Sequence, residues 1–172
     1  MNLILIGYRA TGKSSVGRLL SDRLQWPFVD TDDLIEAEAG QTIPEIVADK
    51  GWDYFRELEK TIIKRVSVIS RLIIATGGGV VMDPENTARL RASGFLVWLQ
   101  ADVETIQARL ANDGFRPPLE GTDSSVEVAG ILEKRRPFYS QAAHTTIDTT
   151  NISLESVEKK IFDYLPEGFL NA

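Results

Sequence analysis

Apolar residues recur along this chain in two alternating rhythms. Short, mostly apolar runs at Leu3–Ile6, Phe28–Asp30, Leu72–Thr76, Phe95–Leu99 and Thr145–Ile147, each bounded by Gly, Asp, Pro or polar residues, predict five strands. Between them the apolar positions switch to helical spacing. Val16, Leu19, Leu20 and Leu24 form one such stripe, with Arg18 and Arg23 on its solvent side. Phe55, Leu58, Ile62, Ile63, Val66 and Ile69 form a second, Ala88 and Leu90 mark a third, Val103, Ile106 and Leu110 a fourth, and Ile152 to Leu165 closes the chain. Strands separated by helices predict right-handed crossovers and a parallel sheet, and strands this short and apolar suit burial on both faces. In such sheets ligands sit beyond the carboxyl ends of the strands, so chemistry is sought in the residues that follow each one.

A chain of 172 residues with 43% apolar content is long enough for one core and short for two, so residues 1–172 read as a single domain. The formal charge of −6 argues against a general nucleic-acid or anionic-membrane surface. Any anion site must then be a local gathering of basic groups. The chain has no cysteine, which removes disulfides, thiolate metal sites and cysteine nucleophiles. No apolar stretch reaches the ~18 residues of a membrane span, and the N-terminus enters a strand without a basic leader, so a cytoplasmic protein is expected.

The first strand end carries Gly7-Tyr8-Arg9-Ala10-Thr11-Gly12-Lys13-Ser14, a G-x-x-x-x-G-K-S sequence followed directly by a helical stripe. A polyphosphate needs backbone N–H donors at close range, which Gly7 and Gly12 permit. Lys13 adds a compact cation, Ser14 offers a hydroxyl to Mg²⁺, and a helix opening near Lys13 turns its positive end toward the same anion. The pattern predicts a nucleoside-triphosphate site.

Three other strand ends bear on that site. After the second strand, Asp30-Thr31-Asp32-Asp33 supplies acids that the third strand end, Thr76-Gly77-Gly78-Gly79, lacks, so Asp30 with Asp32 is the candidate metal and acid pair. A plainer reading has Thr31 or Asp32 capping a helix that begins near Leu34, and Asp33 does local work of that kind. Three consecutive glycines are entropically costly for a simple turn, and close backbone approach to a ligand explains them better. Residues 112–125 have no apolar period and contain Gly114, Pro117, Pro118 and Gly121, which suggests a lid carrying Arg116; a solvated loop is the alternative. Arg56 lies one position off its apolar stripe, and Arg135 precedes Pro137, which should interrupt its helix. Taken singly, Arg56 could pair on the surface with Asp53 or Glu59, and Lys134-Arg135-Arg136 could be a solvated cluster. His144 and the three tryptophans, Trp26, Trp52 and Trp98, read as structural.

In order along the chain, GYRATGKS (Gly7–Ser14), DTD (Asp30–Asp32), FR (Phe55-Arg56), TGGG (Thr76–Gly79), RPPL (Arg116–Leu119) and R-x-P-x-Y (Arg135 to Tyr139) resemble the shikimate kinase family over nearly the whole length. The resemblance implies an α/β three-layer sandwich like that of nucleoside monophosphate kinases, with a five-stranded parallel sheet of order 2-3-1-4-5 and a lid. It implies ATP-dependent phosphorylation of the 3-hydroxyl of shikimate, with Mg²⁺. Gly7, Arg9, Ala10, Thr11, Gly12, Lys13, Ser14 and Ser15 would hold the nucleotide, Arg109 would stack on adenine, and Arg116 would descend from the lid onto the phosphates. Asp32 would bind the substrate hydroxyls and serve as base, Asp30 would reach Mg²⁺ through water beside Ser14, and Lys13 and Arg116 would stabilise the transferred group. Arg56 and Arg135 would grip the carboxylate, with Gly77, Gly78 and Gly79 alongside. Small-molecule substrates alone are expected as partners, and the chain is read as a monomer.

This sequence departs from the family pattern in Tyr8-Arg9-Ala10, where a further small residue or glycine is common, so Arg9 adds a phosphate or lid contact. It carries Pro117-Pro118 where one proline is usual, and Asp148 to Ser153, where adenine contacts would fall, matches only weakly. Two rivals are another small-molecule kinase on the same scaffold, such as a gluconate or nucleotide kinase, and a nucleotide-gated binding module without turnover.

Overall fold

The computed structural model describes residues 1–112 and 125–171. Its strands are β1 (Asn2–Ile6), β2 (Phe28–Asp30), β3 (Ile73–Ala75), β4 (Gly94–Gln100) and β5 (Thr145–Asp148). The helices are α1 (Lys13–Leu24), α2 (Thr31–Ala39), α3 (Ile43–Val66), α4 (Pro84–Ser93), α5 (Val103–Asn112), α6 (Ser125–Ala142) and α7 (Leu154–Tyr164). All strand pairs are parallel and the order is β2-β3-β1-β4-β5, as the family resemblance implies.

Alternation along each buried strand divides the core. Ile4, Ile6, Ile74, Leu96 and Trp98 face one layer, with Ile35 of α2, Phe55 and Ile62 of α3, and Leu90 of α4. Leu3, Leu5, Ile73, Val97 and Leu99 face the other, with Val16 and Leu20 of α1 and Val157 and Ile161 of α7. Successive side chains point to opposite faces of a strand, so a continuous apolar run feeds both layers. Among the described residues no helix is long and apolar enough to cross a membrane.

Two helices depart from expectation. Helix α3 contains Gly51 at φ 83°, ψ 170°, a break that separates the Ile43 end from the segment bearing Arg56. Helix α6 runs through Pro137 instead of stopping there. Proline costs the helix one N–H donor and a steric clash, about 3 kcal/mol, but Tyr139 and Ala142 beyond it are fully buried and packing holds the helix on course. His144 is structural as expected: Nδ1 accepts the Leu96 N–H at 2.9 Å, its ring stacks on Phe95, and burial pulls its pKa below the usual histidine value.

The sheet's amino end is tied by Asn2, whose buried amide donates to the Ile69 carbonyl at 2.7 Å and accepts the Leu72 N–H at 3.0 Å. Asn2→Ala is expected to lower the unfolding free energy by about 1–3 kcal/mol, since the buried Leu72 N–H and the partly buried Ile69 carbonyl lose their partner. Urea titration should show an earlier midpoint with an unchanged slope.

Candidate functional site

At the end of β1 the chain turns under β4. A Cβ at Gly7, where φ is 143°, would sit 2.2 Å from the Leu99 carbonyl oxygen, so only glycine passes. Ala10 and Gly12 follow in left-handed conformations at φ 59° and 94°. The Tyr8 carbonyl accepts from Thr11 Oγ1 at 2.8 Å and from Lys13 Nζ at 2.7 Å, which cross-braces the loop. The Tyr8 ring itself is buried with Ile106 of α5 and Val128 of α6. No side chain caps α1 at Gly12, and the positive end of the helix faces the loop, which suits an anion.

The acid pair lies across from this loop. Ser14 Oγ donates to Asp30 Oδ2 at 2.7 Å, while Asp30 Oδ1 accepts the Asp32 N–H at 3.1 Å. Asp30 is therefore the N-cap of α2, which begins at Thr31, three residues earlier than the apolar pattern suggests. The acids of the first turn hid that start, because Asp32 and Asp33 break the stripe while favouring the helix's positive end. Thr31 caps nothing; its Oγ1 accepts the Gly77 N–H at 3.1 Å and so joins α2 to the end of β3.

Each of the three glycines meets a different side chain. An added Cβ would lie 2.6 Å from Asp32 Oδ1 at Gly77, 3.6 Å from Arg135 Nη1 at Gly78, and 2.6 Å from Arg56 Nη2 at Gly79. Arg56 pairs with Glu59 through Nη1 at 2.9 and 3.0 Å, and the carboxylate is 1% exposed, not the surface partner that spacing alone allows. Burial pushes the Glu59 pKa up, against the pull of Arg56 and then Arg135. Both guanidinium groups thus act on one carboxylate and stand on the same side of the molecule. Arg135 is half-buried and Arg136 is exposed. The Tyr139 hydroxyl donates to the Gly78 carbonyl, and its ring stacks on Trp98 with centroids 5.5 Å apart.

A cavity of about 510 Å³ opens between these groups, lined by Arg9, Lys13, Asp30, Asp32, Gly78 and Arg135 among others. Arg56, Gly77 and Gly79 do not line it; Gly77 packs against Asp32, which does, and Gly79, next to Gly78, packs against Arg56. A second cavity, of about 570 Å³, lies on the other side of the loop between Arg109, Thr149, Ile152 and Leu154. Arg109 donates to the Ala10 carbonyl at 3.1 Å and to the oxygens of Thr149 at 3.1 and 2.8 Å. Thr149 Oγ1 in turn reaches the Gln100 carbonyl at 3.0 Å and that of Thr11 at 3.3 Å. Arg116 and its lid segment fall outside the described residues.

Sequence reasoning reached Thr149 only as part of the weakly matching stretch Asp148 to Ser153, gave Tyr139 no role, and treated Glu59 only as a surface partner. Threonine after a strand carries no signal by itself. For Glu59 a signal existed: it shares the buried stripe with Phe55, Ile62 and Ile63, a place where a carboxylate needs a partner.

Comparison with known proteins agrees with this geometry. The family model for shikimate kinase matches residues 9–166. A shikimate kinase of Symbiobacterium thermophilum is 44% identical over 169 residues, covering 97% of each chain. One from Nitratidesulfovibrio vulgaris is 43% identical over 148 residues, 84% of this chain and 85% of the other. The structure of a shikimate kinase from Acinetobacter baumannii in complex with shikimate superposes with a TM-score of 0.89 at 33% identity, covering 94% of this chain and 90% of that one. With the phosphate loop, the acid pair and the paired arginines at one end of a 2-3-1-4-5 sheet, the chain belongs to the shikimate kinase family.

Proposed function

We infer that the chain transfers the γ-phosphoryl group of ATP to the 3-hydroxyl of shikimate, giving shikimate 3-phosphate and ADP, a step toward chorismate and the aromatic amino acids. Family membership supports the reaction. The observation that carries it for this chain is the arrangement around one cavity: Lys13 and the phosphate loop on one wall, Arg135 on another, and Arg56 held beside it through Glu59. Two planar guanidinium groups suit a carboxylate and would favour an anionic ring acid over a neutral sugar.

Ser14 and Asp30 offer two hard oxygen donors 2.7 Å apart beside Lys13, a set that fits Mg²⁺. No cluster of three or more His, Asp or Glu residues suited to a metal exists among the described residues, which is in keeping with an ion that takes its remaining ligands from water and phosphate. When bound, Mg²⁺ supplies charge neutralisation at the phosphates. Lys13 and the α1 N-terminus hold the outer phosphates, and Arg116 is assigned to the transferred group. Asp32, braced by the N-cap bond, orients the acceptor hydroxyl and takes its proton as the oxygen attacks phosphorus and the bond to ADP breaks. Positioning and charge do most of this work, since phosphoryl transfer needs little covalent help. The second cavity suits the nucleoside, with Arg109 and Thr149 fixing its rim.

An ADP-release assay across hydroxy acids, sugars and nucleotides should show turnover with shikimate; a preference for gluconate or a nucleotide would refute the assignment. Asp32→Asn should keep ATP binding while turnover falls at least ~100-fold, and near-normal turnover would remove Asp32 from the mechanism. Arg56→Ala should raise KM for shikimate more than KM for ATP; equal shifts would contradict the carboxylate role. Thr149→Val, which removes one hydroxyl without changing shape, should raise KM for ATP about fivefold and leave that for shikimate alone.

A further inference from the structure

We propose that Tyr139 is a positioning residue for the substrate carboxylate, one buried phenol that sets both the Gly78–Gly79 peptide and the Arg135 guanidinium. The inference rests on reading the cavity as the acid's pocket.

Residues 135 and 139 are four apart on α6 and share a face because the helix continues through Pro137. The Tyr139 hydroxyl donates to the Gly78 carbonyl, and the Arg135 guanidinium, which stands against the same glycine, draws on the phenol oxygen electrostatically. In a trans peptide the carbonyl and the following N–H point in opposite directions, and no described peptide is cis. Holding the Gly78 oxygen toward the phenol therefore turns the Gly79 N–H away from it, and a glycine has no side chain to fix that plane otherwise. The ring also stacks on Trp98 with an interplanar angle of 19°, while the hydroxyl is oriented by the Gly78 carbonyl and by the helix that carries it. Burial pushes the Tyr139 pKa up to about 12, so the hydroxyl keeps its proton and remains a donor at neutral pH. The phenol is thus a bracket: its proton is committed to the glycine turn, and its oxygen faces the arginine that stands against the same turn.

Tyr139→Phe keeps the ring and its stacking and removes only the hydroxyl. With the full-length enzyme and both substrates varied, KM for shikimate should rise about tenfold, the effect of about 1.4 kcal/mol of lost alignment, while KM for ATP holds nearly constant. Trp98→Phe loosens the stacking but spares the hydroxyl, and should leave KM for shikimate within about twofold. An unchanged KM in Tyr139→Phe, equal rises for both substrates, or an equal rise in Trp98→Phe would overturn the proposal. Should Tyr139→Phe fail to fold, a tenfold rise in Trp98→Phe would still refute it, and an unchanged KM there would support it. Wild-type enzyme inactive on shikimate would instead remove the reading of the pocket itself.

Discussion

Two anions must meet here on a chain that is itself net negative, and most of the site answers to that repulsion. Unit charges a few ångströms apart interact by about 1 kcal/mol in water and several-fold more in a partly buried cleft. The chain therefore gathers Arg9, Lys13, Arg56, Arg109 and Arg135 around one end of its sheet. Two of the carboxylates at the site are committed to partners: Asp30 to Ser14 and the start of α2, Glu59 to Arg56. A parallel sheet covered on both faces makes this concentration feasible, because the loops after β1, β2, β3 and β5 open at the same end.

Short polar links keep those loops in register. Thr31 ties α2 to the β3 turn, Asp30 ties α2 to α1, and Thr149 with Arg109 ties the phosphate loop to the end of β4. Each link runs through one or two hydrogen-bonded side chains between strand ends, so the site is assembled by the sheet and trimmed by hydroxyls, carboxylates and one guanidinium. The triple glycine is the counterpart of these links. It leaves room for Asp32, Arg135 and Arg56 to approach the same stretch of backbone from three directions.

Much of this was legible in the sequence, because strands buried on two sides and amphipathic helices leave distinct apolar periods. The glycine and lysine spacing marks the phosphate-loop sequence, and Asp30 and Asp32, expected as a pair from the absence of a carboxylate after β3, line the same cavity as Lys13 and Ser14. What stayed hidden was long-range or out of period. The start of α2 was masked by acids at its first turn, and the passage of α6 through Pro137 depended on packing around Tyr139 that no local rule records. Glu59, Thr149 and Tyr139 act through partners 3, 40 and 61 residues distant, and only the first of these separations leaves a mark in local spacing.

Ala10 holds a left-handed backbone at φ 59° in the middle of the phosphate loop. For a residue with a side chain that conformation costs roughly 1 kcal/mol or more, and for a β-branched one considerably more. Evolutionary drift at this site is consequently one-sided: glycine is an open neighbour, whereas valine, isoleucine and threonine are closed to it by sterics alone, whatever their effect on the nucleotide.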